Sequence, residues 1–164
     1  MTTWGQFEAD ARPLAALARD RFDGAGLILL GTLRSGGGPR ISPVEPLIFE
    51  DRLYLGMIWQ SKKALDLQRD PRCVVHSIVT QTDGTDGDVK VYGRAVEISD
   101  PDERDRYGHA LLARIGWRPS GDFHLFAVDI DEVGYIRVEG SSHRVWHWRP
   151  GEVLGPLETR PGTP

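Results

Sequence analysis

Ser61-Lys62-Lys63 is the only place in this chain where a hydroxyl and two ammonium groups occupy consecutive positions. The residues that follow have helical spacing and are closed by Asp70-Pro71, so a short helix is predicted over Lys62 to Arg69 with Ser61 as its N-cap. A helix start carries unpaired N–H groups and partial positive charge, and a hydroxyl with ammonium groups beside them suits a phosphate. The same residues also describe a capped surface helix with two solvated lysines, and the triplet alone does not separate the two. A second candidate lies upstream in Arg40-Ile41-Ser42-Pro43-Val44. On a strand, Arg40, Ser42 and Val44 project to one face, where Arg40 reaches a phosphate and Ser42 a ring or polyol oxygen. An exposed arginine beside a turn is the plainer alternative.

A third feature is Ser142-His143-Arg144-Val145-Trp146-His147-Trp148. Strand alternation puts Arg144, Trp146 and Trp148 on one face and His143, Val145 and His147 on the other. Aromatics with an arginine stack on a bound ring, fill an interface or pack a core. Two histidines with no third ligand define no metal site, and none is expected. Tyr54 and His76 are candidate proton donors, while no catalytic residue is assigned. Cys73, the single cysteine, reads as a small buried hydrophobe. G-x-x-x-x-G-K-[ST], H-E-x-x-H and G-x-S-x-G are all missing, and no G-x-G-x-x-G follows a strand. Gly36-Gly37-Gly38 runs into Pro39 and a further strand, so it reads as a hairpin turn.

The elements that must position these residues are mostly strands. A helix is predicted over Trp4 to Arg21, with Thr3 as N-cap, Gln6 completing a capping box, and Pro13 as a point of division. Leu27 to Leu33, Arg40 to Phe49 and Leu53 to Ile58 then read as a three-stranded meander, with Pro43 and Pro46 marking an edge or a bulge. Further strands are expected over Arg72 to Val79, Lys90 to Ile98, Phe123 to Ile130, Gly134 to Val138 and His143 to Trp148. Asp100-Pro101-Asp102-Glu103 is a strong helix start, and Gly116 ends that helix. Consecutive short-turned strands exclude a doubly wound parallel sheet and predict a mainly β fold: an antiparallel barrel of six or seven strands with flanking helices.

Composition bounds the function classes. The 164 residues suit one domain, and 40% hydrophobic with 27% charged residues is globular composition. A formal net charge of -4 disfavours a dedicated nucleic-acid surface, and no apolar run is long enough to span a membrane. A cytoplasmic location is expected. Basic residues comprise 17 arginines and three lysines, which makes the adjacent Lys62-Lys63 pair unusual within its own chain.

The order of these pieces resembles the pyridoxamine 5'-phosphate oxidase-like family of FMN-binding split barrels, and in particular its actinobacterial members near the deazaflavin-dependent reductases. The resemblance is carried by GTLRSGGGPRISPV, DRLYLGMI, SKKALDLQRDPRC and VYGRAVEISDP. It implies a split-barrel domain over residues 1–150; the proline-rich tail over 151–164 is expected from its composition to pack loosely. It also implies a homodimer with FMN or the deazaflavin coenzyme in clefts between subunits and a small-molecule substrate; charge and apolar-run length already argue against nucleic acid or a membrane as partner. Carried onto this chain, Arg40, Ser61 and Lys63, with Lys62 as a second candidate, grip the cofactor phosphate. Ser42 and Val44 line the cofactor, and Met57, Ile58 and Trp59 lie along its ring or tail. Arg34, Arg69 and Arg72 are candidate contacts for the deazaflavin's acidic tail. The Arg-rich C-terminal substrate segment of the vitamin B6 oxidases is missing, which argues against that reaction. The implied function is a flavin- or deazaflavin-dependent oxidoreductase that transfers a hydride to or from a small conjugated substrate. The alternatives are a non-catalytic flavin-binding protein and a haem-binding barrel.

Overall fold

The computed structural model describes residues 1–162. The chain opens with α1 (Trp4–Asp10) and α2 (Arg12–Ala25). The helix predicted over Trp4 to Arg21 is thus divided at Ala11, because Pro13 has no N–H for an interior turn and sits instead in the first turn of α2. Thr3 Oγ1 accepts from Gln6 N at 3.2 Å, as its N-cap role requires. Helix α2 runs past the predicted end at Arg21 and closes at Gly26 in the left-handed region, φ 67°.

The strands are β1 (Ile28–Leu33), β2 (Pro39–Val44), β3 (Pro46–Phe49), β4 (Arg52–Ile58), β5 (Arg72–Ser77), β6 (Asp88–Glu97), β7 (Phe123–Glu139), β8 (Ser142–Trp148) and β9 (Glu158–Pro161). Helix α3 (Lys62–Arg69) lies between β4 and β5, and α4 (Pro101–Ile115) between β6 and β7. All pairings are antiparallel, in the order β2-β1-β5-β6-β7-β4-β3, with β8 on β7 and β9 on β8. β2 and β3 stand at opposite ends of that path yet are joined through Glu45 alone, so the sheet curls until its ends meet. This is a mainly β split barrel with flanking helices.

Three expectations change. The strand predicted over Arg40 to Phe49 is two strands: β2 pairs with β1, while β3 pairs with β4 through Pro46↔Leu55. Pro43 and Pro46 have no ladder donor, so β2 stays an edge and the chain leaves it at Glu45. The two strands predicted over Phe123 to Ile130 and Gly134 to Val138 are the single 17-residue β7. Asp131 is its extra residue, because Tyr92 faces Glu132 and Gly93 faces Ile130. A Cβ at Gly93 would lie 2.2 Å from Asp129 O, so this bulge needs the glycine. Finally, the tail from residue 151 is tied down. Trp148 Nε1 donates to Glu152 O at 3.0 Å, Trp146 Nε1 donates to Gly155 O at 3.1 Å, and β9 pairs with β8. Residues 163 and 164 of that tail lie outside the described residues.

The barrel core packs against α1 and α2 through Trp4, Phe7 and Trp148, the last two with ring centroids 4.9 Å apart. Each such side chain contributes on the order of 1.5–3 kcal/mol on burial. Trp148 is therefore committed to the core. A second apolar cluster joins Tyr54, Leu125 and Ala127 on the sheet to Tyr107 and Leu111 of α4. Cys73 is buried as expected. Among the described residues no helix is long and apolar enough to cross a membrane.

Candidate functional site

The barrel brings Arg40 of β2 against α3. Thr32 and Arg40 are register partners on β1 and β2, and both reach the same carboxylate, Asp66 of α3. Arg40 Nε donates to Asp66 Oδ2 at 2.6 Å, Thr32 Oγ1 donates to it at 3.0 Å, and Arg69 Nη2 donates to Asp66 Oδ1 at 3.2 Å. Burial pushes the Asp66 carboxyl up, but these three donors outweigh it and hold the group below its ordinary value. Arg40 is thus not the free cation that sequence alone suggests. Asp66 orients it, leaving the Nη atoms as its remaining donors.

Lys62 and Lys63 precede Asp66 by one helical turn and so stand on the same side of α3. Ser61 occupies the N-cap position with extended backbone, φ -63° and ψ 145°, yet its hydroxyl caps nothing. Ser61 Oγ is buried with no hydrogen-bond partner among the described residues, a correction to the expected capping role. A buried hydroxyl left unsatisfied at a helix start, with two ammonium groups in the same turn and Arg40 docked on that helix, fits an anionic group such as a phosphate. Ser42 is half-buried on the same strand face as Arg40. Val44 is not placed to line an open site: it is 4% exposed and part of the core.

The end of β4 leads from this cradle to a cleft of about 540 Å³. Ser61 N donates to Ile58 O at 3.1 Å across the connecting turn, where Gln60 adopts a left-handed φ of 56°. That conformation is unfavourable for a non-glycine residue and points to a tightly constrained turn. Met57, Ile58 and Trp59 line the cleft together with Tyr107, Trp117 and Phe123. The three expected along a cofactor's ring or tail therefore share one wall. Sequence reasoning does not single out His124, Trp117 or Tyr107. His124 stacks on Trp59 with centroids 4.4 Å apart and planes 11° apart. Its Nδ1 lies 2.9 Å from Glu97 Oε1, Gln68 Nε2 donates to both Glu97 oxygens at 3.0 Å, and its Nε2 is buried without a partner. The only sequence signal for it is a histidine set inside the apolar run that starts β7.

The remaining candidates are occupied elsewhere. Tyr54 is buried and donates to Glu103 Oε1 at 2.6 Å; burial first, and then that hydrogen bond, push its hydroxyl well above the ordinary value, which leaves it a poor proton donor. His76 Nδ1 lies 2.6 Å from Ser77 O. His147 faces Glu132 at 3.0 Å, and among the described residues no three metal-ligating side chains converge. Arg72 is paired with Asp70 at 2.6 Å, Arg69 donates to Leu33 O as well as to Asp66, and Arg34 lies exposed beside the hairpin turn.

The fold and the cradle define a split barrel with a corner between β2 and α3 where Arg40, Lys62, Lys63 and the unpartnered Ser61 hydroxyl gather. The family described as pyridoxamine 5'-phosphate oxidase matches residues 14–137, and the chain belongs to that family. No curated protein matches it. Solved structures share the fold. PhzG of Burkholderia lata, in complex with tetrahydrophenazine-1-carboxylic acid, has a TM-score of 0.64 at 15% identity, covering 100% of this chain and 94% of that one. A conserved hypothetical protein of Mycobacterium tuberculosis has a TM-score of 0.63 at 19% identity, covering 72% and 81%. A heme binding protein of Mycobacterium smegmatis has a TM-score of 0.62 at 18% identity, covering 82% and 57%. At these identities the likeness is one of fold.

Proposed function

We propose that this protein binds FMN or the related deazaflavin coenzyme and acts as an oxidoreductase on a small conjugated substrate. The observation that carries the reading is Ser61 Oγ, buried and unpartnered at the start of α3, beside Lys62 and Lys63 and the helix on which Arg40 is docked. In this reading Ser61, Lys63 and the free edge of Arg40 hold the cofactor phosphate, with Lys62 supplementing the charge. Ser42 contacts the polyol chain or ring edge, and Met57 to Trp59 border the edge of the ring, which leaves the open face of Trp59 to the substrate. The bound cofactor supplies hydride chemistry, and the chain supplies position and electrostatics. Trp59, braced by His124, excludes water from one side. Exposed Ile41 and Ile58, at 70% and 78%, support pairing of two copies into a homodimer. A cytoplasmic setting belongs to the same proposal, supported by a lone buried cysteine that suits a reducing compartment.

The test is a visible spectrum of the purified protein, followed by titration with FMN, the deazaflavin and haem, with mass measured by light scattering. Saturable binding of either flavin-type cofactor, lost on combined Ser61→Ala and Lys63→Ala substitution, is the expected result. A Soret band with no flavin binding overturns it. Tight cofactor binding without turnover of any electron donor or acceptor leaves a flavin-binding protein and removes the oxidoreductase.

A further inference from the structure

The cleft at the end of β4 has a charge pattern opposite to that of the phosphate cradle beside it. Its two ionisable rim residues are carboxylates, Glu45 and Asp122, both exposed, and among the described residues no lysine or arginine lines it. The nearby Arg104 and Arg118 line a smaller adjoining depression that shares Pro119 and Phe123 with the cleft, and Arg118 is paired there with Asp105 at 3.6 Å. Arg104 is held there, with its guanidinium 4.1 Å from the Phe123 ring centroid and Nη2 donating to Phe123 O at 2.7 Å. The cleft walls are aromatic and open: Trp59 is 49% exposed and Trp117 is 55% exposed. Trp59 already has one face covered by His124, which leaves its other face for a ligand.

The floor adds a hydroxyl that no protein group among the described residues engages. Tyr107 is 2% exposed, and its hydroxyl forms no hydrogen bond among the described residues. It rests over Gly56, where a Cβ would lie 2.3 Å from Tyr107 Oη, and both residues line the cleft. Burial, followed by the charge of Glu45, pushes this hydroxyl up to about 12, so it remains a donor near neutrality. The cleft is of a size that holds small organic ligands, whose sites are mostly apolar walls with a few placed polar groups. Flat aromatic walls favour flat rings, and indole faces under a negative rim favour a cation.

We propose that this cleft binds a flat conjugated ring system bearing a positively charged nitrogen, with any hydrogen-bond acceptor directed at Tyr107 Oη. As a statement about the substrate of a flavin-dependent reaction, this rests on the reading above; as a statement about binding, it needs no cofactor. The end of β4 then separates two poles: a cationic cradle that takes a phosphate and an acidic aromatic cleft that rejects one.

The experiment uses three matched probes, N-methylquinolinium, neutral quinoline and 2-naphthoate, titrated at pH 8 and low salt with tryptophan fluorescence and calorimetry as readouts. N-methylquinolinium is expected to bind roughly tenfold tighter than 2-naphthoate, since two exposed carboxylates together contribute on that order. The preference shrinks with added salt. Combined Glu45→Gln and Asp122→Asn brings N-methylquinolinium to the level of quinoline. Tyr107→Phe weakens quinoline, whose ring nitrogen accepts a hydrogen bond, and leaves N-methylquinolinium unchanged. Equal or tighter binding of naphthoate, a preference that survives the double substitution, or no binding of any probe overturns the proposal. FMN is titrated in parallel. Cation preference without FMN binding keeps the cleft and removes the flavin reading; FMN binding without cation preference does the reverse.

Discussion

Arg40 donates through Nε to Asp66 Oδ2 at 2.6 Å, so the arginine expected to meet a ligand is first held by its own protein. The Asp66 side chain is 5% exposed and that of Arg40 21%, which makes this a largely buried pair that ties the edge strand β2 to α3. Removing one partner of a fully buried pair costs about 3–5 kcal/mol; partial exposure of the arginine reduces that here. Asp66→Ala is expected to destabilise the protein by about 1–3 kcal/mol in urea denaturation. An unchanged midpoint would show that the pair does not hold β2 to the helix.

The same carboxylate sets an acid limb of stability. Its folded-state value is depressed, so its contribution is complete above the unfolded value, near 4, and is lost as pH falls through the folded value. Unfolding free energy is expected to decline below about pH 5, with a shallower decline in Asp66→Asn. Asp86, held low chiefly by the Thr80 backbone N–H, contributes in the same direction and remains in the variant. Urea melts between pH 7 and pH 3 measure both slopes, and identical slopes would remove Asp66 from the account.

Ser61→Ala separates a cap from a ligand contact. A capping serine costs about 1 kcal/mol when replaced by alanine. Ser61 Oγ makes no hydrogen bond, so the substitution is expected to leave thermal stability nearly unchanged while weakening FMN. Lys63→Ala is expected to weaken FMN by about 1.5–3 kcal/mol, the scale of a charge-assisted contact. Calorimetric titration reads both, and undiminished affinity in Lys63→Ala removes the lysine from the phosphate site.

Gly56→Ala tests the floor of the cleft. The added Cβ meets Tyr107 Oη at 2.3 Å and Tyr107 Cζ at 3.2 Å, and crowding of this kind costs about 1–3 kcal/mol. Adding Tyr107→Phe removes the nearer atom and is expected to recover part of the loss. A double-mutant cycle with no coupling would mean that the two residues do not meet.

Cys73 is expected to stay silent toward a disulfide reagent at pH 8 in the native protein and to react fully after unfolding. Burial, with the charge of Asp131, pushes its thiol up to about 12, and the thiolate is the reactive form. Rapid labelling of the native protein would contradict this.

Several features are local and therefore legible in the sequence. Asp100 as N-cap, Pro101 in the first turn and Gly116 in the left-handed region delimit α4, since each acts within a turn of the chain. Alternation along β5 and the common face of Arg40, Ser42 and Val44 follow from the two-residue period of a strand. The joining of two predicted strands into β7 is not local, because the bulge at Asp131 exists only against Gly93 of another strand. β9 is likewise invisible in a Pro- and Gly-containing tail; its partner β8 creates it.

The sequence by itself determined a mainly antiparallel barrel, the start of α3 and the cations gathered near it, because side-chain period, caps and turn residues act over a few positions. Only the tertiary structure decided what those cations do. Asp66 claims one edge of Arg40, Ser61 gives up its cap, His124 comes under Trp59, and Glu45, from the β2–β3 link, and Asp122, just ahead of β7, face one cleft. These outcomes depend on how the folded chain brings its strands and helices together, and charge and hydrogen-bond satisfaction are settled by what lies within a few ångströms in space, not by neighbours in the chain.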